Sequence, residues 1–347
     1  MMKDIIKYKP ETKILGFIDN SIKGKFGNFP IWTLKDFLNQ NIKCDLVIMS
    51  TRTDKDIILN CFDVYDIPVL EQTIFISNYY RRDLNILSED NFQKVINVFN
   101  TDEDKKLFEM IFRIRTAELD RDLLKEYHYR INHNTYHTDL LIKQQYLEKI
   151  NKNAVKILLD AGFHNGLNVI AFNRLLPNIE KIYGFEMLYD LVRKDYIEEI
   201  ITNKKLEIVP CALGDCNKKM NFYIDYNKLG ASFIQEMTTN KRIISSQLEH
   251  RVVDVVTIDN YCTKNNISPD FIKMDIEGAE LSALKGGIET IKKFRSQLAI
   301  SIYHSLEDFI NIPQYLNENL EDYHFALGHY SPWLCETVLY AIPKELL

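Results

Sequence analysis

Apolar positions along the chain fall into two rhythms. Residues 14–19 (ILGFID) and 45–50 (DLVIMS) are apolar runs of strand length, and 34–38 between them has helical spacing after the turn-rich GKFGNFP. Residues 56–62 read as a helix leading to a short strand-like run at 67–70, entered through Pro68. This predicts a small α/β domain over residues 1–100. The spacing then changes: Leu107, Phe108, Ile111, Phe112 and Ile114 share one helix face and no glycine interrupts the segment, which predicts a helical connector over 101–150. Over 151–347, the runs 155–159, 181–185, 206–209, 271–274 and 298–302 are strand-like, and most are separated by room for a crossover helix. That alternation predicts a mostly parallel sheet covered on both faces. Runs 220–226, 232–237 and 251–258 break the rhythm as an antiparallel excursion. Runs 323–327 and 337–342, joined by GHYSPWLCE, read as a hairpin, so the last strand runs antiparallel.

Composition narrows the class. A chain of 347 residues with 46% hydrophobic and 27% charged positions fits about two globular domains. The net charge of −6 excludes a surface built throughout to neutralise phosphates, so no nucleic-acid partner is expected. No apolar run approaches the roughly 18 residues of a membrane span, and the opening residues lack a secretory stretch. Both point to a cytoplasmic protein. Cys44, Cys61, Cys211, Cys216, Cys262 and Cys335 form no CxxC pair, which fits reduced thiols better than a disulfide framework or a zinc site.

Ligands of open parallel sheets bind beyond the carboxyl ends of the strands. The first long-sheet strand delivers DAGFHNG, with Asp160, Gly162 and Gly166, a spacing different from the GxGxxG of dinucleotide sites. The second ends in YGFE, where Glu186 stands at the distance from which a carboxylate holds a ribose. Together they indicate an adenosine ligand. The third leads into CALGD, whose backbone is placed to flank adenine. The fourth, FIKMDIEGAE, brings Asp275, Glu277 and Glu280 to the sheet mouth, with Glu280 the natural helix cap. With His304 and His329 at later strand ends, Asp275 suggests either a general base acting on a hydroxyl or a divalent-metal site of Asp275, Glu277 and His304, with Mg²⁺ as the ion.

The ordered motifs DAGFHNG, IYGFE, ALGD, VTIDNYC, FIKMDIEGAELSALKGG, SIYHSLEDFINIPQYL and ETVLYAIP resemble the FkbM family of S-adenosylmethionine-dependent methyltransferases over residues 155–343. The resemblance implies a class I methyltransferase fold: a Rossmann-like seven-stranded sheet with an antiparallel last strand, here preceded by a small α/β domain and a helical connector. It implies O-methylation of a sugar in a bacterial surface glycan or its nucleotide-linked precursor, or alternatively of a polyketide-like or other small hydroxylated metabolite. By resemblance, Asp160, Gly162, His164, Asn165 and Gly166 line the methionine end of S-adenosylmethionine. Glu186 and the adjoining Met187 take its ribose side, Cys211 and Ala212 flank adenine, and Asp275 lies between cofactor and acceptor. His304, Asp275, Glu277 and His329 are the catalytic candidates. The family commonly has small residues and Asn in the loop (as in DVGANIG), where this chain has Phe163 and His164; Phe163 is most simply packing. The first hundred residues are similar to Rossmann-like domains beside sugar-nucleotide enzymes but lack a glycine-rich loop, so no phosphate site is expected there.

Two other classes stay open at this level. Glu186 could hold the ribose of a nicotinamide dinucleotide in an oxidoreductase, and a cofactor fold could serve a non-catalytic interaction protein. A homo-oligomer is compatible with everything above.

Overall fold

The structure, a computed structural model, describes residues 12–49, 62, 67, 69–71, 86–116, 123, 126, 145–191, 197–203, 205–224, 249–331 and 334–347. It divides into two compact units, Met1–Leu84 with Met110–Asn134, and Asn85–Glu109 with Thr135–Leu347. Among the described residues no helix is long and apolar enough to cross a membrane.

In the smaller unit, strands β1 (Phe17–Ile18), β2 (Gly24–Phe26) and β3 (Phe29–Trp32) form a sheet ordered β1-β3-β2. The Thr33 hydroxyl accepts the Asp36 N–H and so caps helix α1 (Leu34–Asn39), satisfying a donor that the first helical turn leaves open. Strands β4 (Val47–Met49) and β5 (Val69–Glu71) pair in parallel. Phe37, Met49, Phe62 and Val69 form the buried core of this unit. Of the expected helix at 56–62, residues 56–61 lie outside the described residues.

The larger unit opens with helices α2 (Glu89–Ile96) and α3 (Asp102–Arg115), the latter counted here as far as Glu109. There follow β6 (Ile157–Ala161), α4 (Leu167–Leu175), β7 (Lys181–Phe185), α5 (Glu198–Thr202) and β8 (Leu206–Val209). A separate small sheet then holds β9 (Ala212–Leu213), β10 (Lys218–Ile224) and β11 (Glu249–Val256), with β10 and β11 antiparallel as expected. The run 232–237 lies outside the described residues. The chain returns through α6 (Ile258–Asn265), β12 (Phe271–Met274), α7 (Glu280–Lys285), α8 (Ile288–Phe294), β13 (Gln297–Ser301) and α9 (Leu306–Asn319) to the hairpin β14 (Tyr323–His329) and β15 (Thr337–Pro343).

The main sheet has seven strands in the order β14-β15-β13-β12-β6-β7-β8, parallel from β13 to β8, with β15 antiparallel to both neighbours. This is the sheet the sequence predicts. β6 begins at Ile157 rather than 155 because Lys152–Ala154 closes a short 3-10 turn, after which Asp270 accepts the N–H groups of Lys156 and Ile157 at 2.9 and 2.8 Å. β12 and β13 are buried along their whole length, as strands covered on both faces must be. From β6 the chain builds outward through β7 and β8, then crosses to β12 on the other side. The gap between the carboxyl ends of β6 and β12 is therefore the switch point at which such sheets bind ligands.

Among the described residues no further strand pairs with the outer edge of β14, which is met by Asn100 and Asp104. Asn100 Oδ1 accepts the Phe325 N–H at 2.7 Å and Asp104 Oδ1 accepts the Leu327 N–H at 2.9 Å. Phe108 of α3 stacks on Phe309 of α9 with ring centroids 4.9 Å apart, so this helical segment is part of the larger unit's core.

Candidate active site

The loop leaving β6 is built by packing constraints. Gly162 has φ +80°, and a Cβ there would lie 1.8 Å from the Asp275 carbonyl oxygen, so the first loop and the end of β12 touch through backbone. The N–H groups of Gly162 and Phe163 both donate to the Phe185 carbonyl, at 3.2 and 3.1 Å. Phe163 is 1% exposed, as its packing role requires. Cβ atoms at Gly184 and Gly166 would meet its ring at 2.3 and 2.9 Å, so the phenylalanine fits only because two glycines make room. Asn165 Oδ1 accepts the Leu167 N–H at 3.1 Å and opens α4, preceded by Gly166 in the left-handed region at φ +80°.

Beneath this loop lies an ion pair that the strand pattern alone does not announce. Asp160 and Lys273 occupy paired positions on β6 and β12, both are 0% exposed, and Lys273 Nζ stands 3.0 Å from Asp160 Oδ1. The same ammonium donates to the carbonyls of Ala161 at 3.3 Å and Gly162 at 2.8 Å, so it ties the loop to the strand below it. Burial pushes the Asp160 carboxyl up despite the lysine. A charged residue at matching register in two otherwise apolar strands was the available signal for this pair.

Glu186 stands just past β7. Its two oxygens accept the His164 N–H at 2.8 Å and the Leu188 N–H at 2.9 Å, which aims the carboxylate along the first loop. Burial pushes its carboxyl above the ordinary carboxylate value, partly offset by those two N–H groups. His164 is exposed with φ +51°. Met187 packs beside the small apolar cluster of Leu188, Phe222 and Val253. Cys211 is buried, and burial pushes its thiol up to about 12; Ala212 opens β9 opposite Val255.

The groups at the other side of the switch point converge. Tyr303 Oη donates to Asp275 Oδ1 at 3.1 Å and Tyr146 Oη donates to Asp275 Oδ2 at 2.9 Å. His304 Nε2 lies 3.3 Å from Asp275 Oδ1 and 3.6 Å from Glu277 Oε2, while Nδ1 lies 2.9 Å from Glu280 Oε1. Glu280 is 0% exposed, and its carboxylate also accepts the N–H groups of Ile276 and Gly278 at 2.8 and 2.9 Å. It thus folds the turn from Asp275 to Ala279 and fixes one ring nitrogen of the histidine. Glu277 takes φ +55° and Gly278 φ +98° in that turn, which turns the Glu277 carboxylate outward. Burial alone would lower the His304 imidazole; the hydrogen bond and charge of Glu280, then the charges of Asp275 and Glu277, outweigh it and push it up to about 9. Burial alone would raise Asp275, but Lys273, His304, Tyr146 and Ser301 together hold it below the ordinary carboxylate value. Burial lifts both phenols well above the ordinary tyrosine value, so they donate and do not act as bases.

Asp275, Glu277 and His304 are thus brought together. His329 is not: it ends β14, separated from β13 by β15, and its Nδ1 lies 2.8 Å from Thr337 Oγ1. Tyr146, Tyr303 and Lys273 were not anticipated, and Glu280 only as a helix cap. The donor atoms of Asp275, Glu280 and His304 lie within 4.8 Å of one another. The set expected to hold Mg²⁺ was Asp275, Glu277 and His304; the close group has Glu280 in place of Glu277, and that carboxylate is already taken up by two backbone N–H groups, so it does not fit an ion that demands open oxygen ligands.

Residues 160–325 match the family model described as the methyltransferase FkbM domain. Among solved structures, the methyltransferase FkbM from Methylobacillus flagellatus KT aligns with a TM-score of 0.60 at 18% identity, over 95% of this chain and 83% of that one, a likeness of fold. The precorrin-6y C5,15-methyltransferase from Geobacter metallireducens GS-15 aligns at 0.33 and 10% identity, over 60% of this chain and 89% of that one. An SAH-bound methyltransferase from Podospora anserina, PaMTH1, aligns at 0.33 and 8%, over 71% and 89%. Scores of 0.33 carry no weight here. No curated protein matches the chain.

Proposed function

We propose that this chain, a methyltransferase whose FkbM domain spans residues 160–325, moves a methyl group from S-adenosylmethionine to a hydroxyl of a sugar, in the cytoplasm, on a surface glycan precursor. The observation that carries the reading is the His304 imidazole at the switch point, with Nδ1 2.9 Å from the buried Glu280 carboxylate and Nε2 turned toward Asp275 and Glu277. A base whose second nitrogen is oriented by a buried carboxylate is the arrangement used to take a proton from a hydroxyl. Carboxylates, an imidazole and a phenol around one cleft also suit a polyhydroxylated acceptor.

S-adenosylmethionine, when bound, supplies an electrophilic methyl. Glu186, at the end of β7, would accept the ribose hydroxyls. His164 and Asn165 stand for the carboxylate end, with Gly162 and Gly166 shaping the loop, and Met187, Cys211 and Ala212 border the adenine side. Asp160 acts from below, through Lys273. Asp275 orients the acceptor hydroxyl, and neutral His304 Nε2 takes its proton, while Glu277 stabilises the resulting imidazolium.

The test is a transfer assay with methyl-labelled S-adenosylmethionine against nucleotide sugars, glycan fragments and hydroxylated polyketides, beside calorimetry with S-adenosylhomocysteine. Label in a sugar ether supports the reading. Label in a polyketide moves the acceptor class, and binding of S-adenosylhomocysteine with no labelled acceptor overturns the sugar assignment.

A further inference from the structure

Gln145 and Tyr146 precede β6 and precede the matched domain, in a stretch whose sequence reads as connector. Tyr146 is nevertheless 3% exposed and holds φ +71°, a backbone conformation that a tyrosine keeps only when its surroundings fix it. Its hydroxyl reaches Asp275 Oδ2 at 2.9 Å and lies 3.5 Å from Ser301 Oγ. Lys273 Nζ stands 5.2 Å from its ring centre. Gln145 Nε2 donates to Glu336, the residue before β15, which itself sits at φ +60°. β13 lies between β12 and β15, so two neighbouring residues tie together three strand ends: Asp275 after β12, Ser301 closing β13 and Glu336 ahead of β15.

We propose that Tyr146 is a positioning residue of the transfer site: with Tyr303 on the other oxygen, it locks the Asp275 carboxylate in the one orientation that faces His304. A carboxylate on a strand end has rotational freedom about its last two side-chain bonds. Tyr303 alone, bonded to Oδ1, leaves Oδ2 to swing; Tyr146 removes that freedom from the opposite side. The site therefore begins upstream of residue 160. The activity readout below rests on the methyl-transfer reading; the spectroscopic one does not.

The experiment compares Tyr146→Phe with the unaltered full-length chain, following the ¹³C carboxyl signal of Asp275, assigned through Asp275→Asn. The expected result is a displaced and broadened Asp275 signal at an S-adenosylhomocysteine affinity within about twofold of the parent. Transfer to whichever hydroxylated acceptor is labelled falls about ten- to a hundredfold in kcat with little change in KM, the scale of a misplaced catalytic group. An unmoved Asp275 signal overturns the proposal whether or not an acceptor is known, and so does an unchanged kcat. Should the variant fail to fold, the parent decides: a slowly exchanging Tyr146 hydroxyl proton with a cross-peak to the Asp275 β-protons supports the role, and its absence refutes it. A displaced signal with no hydroxyl ever methylated supports Tyr146 and overturns only the acceptor reading.

Discussion

Glu280 shows how much one buried side chain decides. Read as a helix cap it would be worth about 1 kcal/mol; in the structure it also faces His304, whose imidazole it helps push up to about 9 from 6.5. A histidine raised in the folded state stabilises the fold fully below its unfolded value and loses that contribution as pH rises through the folded one. Thermal stability should therefore decline between pH 6.5 and about 9, by on the order of 3 kcal/mol, and His304→Gln should abolish that slope. Flat wild-type melting temperatures across this range would contradict it. The same shift means that a neutral His304 base gains population with alkali: the transfer rate should climb toward a limb near 9 in the parent and at lower pH in Glu280→Gln, measured as kcat against pH. Gly162 is a second residue whose identity the packing decides. Gly162→Ala meets both a left-handed backbone and the Asp275 carbonyl, and urea unfolding should show a loss of about 3 kcal/mol or more.

At the scale of elements, β6 and β12 are joined by hydrogen bonds and by the Asp160–Lys273 pair. Removing one partner strands a charge in the sheet centre. Lys273→Met should destabilise by about 3–5 kcal/mol in chemical denaturation, while Lys273→Met with Asp160→Leu recovers most of the loss. A double variant as unstable as the single would show that packing, not charge, holds the strands. Strand positions were largely legible because runs such as TVLYAIP, and FIKM apart from Lys273, are apolar on both faces, as strands of a covered sheet are. The hairpin order followed from the short GHYSPWLCE link. Asp275, Glu186 and His304 were singled out because they follow strand ends, and the structure does bring Asp275 and His304 within 3.3 Å of each other. His329 obeyed the same rule yet faces Thr337, because an antiparallel strand intervenes and chain order says nothing about that spacing. Tyr146 gave no signal at all, since its part depends on a contact across 129 residues of sequence.

For the whole molecule, the division into units does not follow the chain once through. Asn85–Glu109 groups with the sheet, and Met110–Asn134 with the smaller unit. A fragment cut at residue 151 would lose Asn100 and Asp104 from β14 and Tyr146 from Asp275 together. Such a fragment, 151–347, should self-associate through its uncovered sheet edge and elute as aggregates in size-exclusion chromatography with light scattering, while the full chain does not. A monodisperse fragment melting like the parent would refute that assignment. The nest of Phe163 between Gly166 and Gly184 also constrains the order in which single substitutions could build this loop. A glycine at 184 is tolerable beside a small residue at 163, whereas a phenylalanine at 163 cannot coexist with any side chain at 184, where a Cβ would approach its ring to 2.3 Å. Any mutational path from a small-residue loop to this one passes through glycine at 184 first, and reversion at 184 alone is closed.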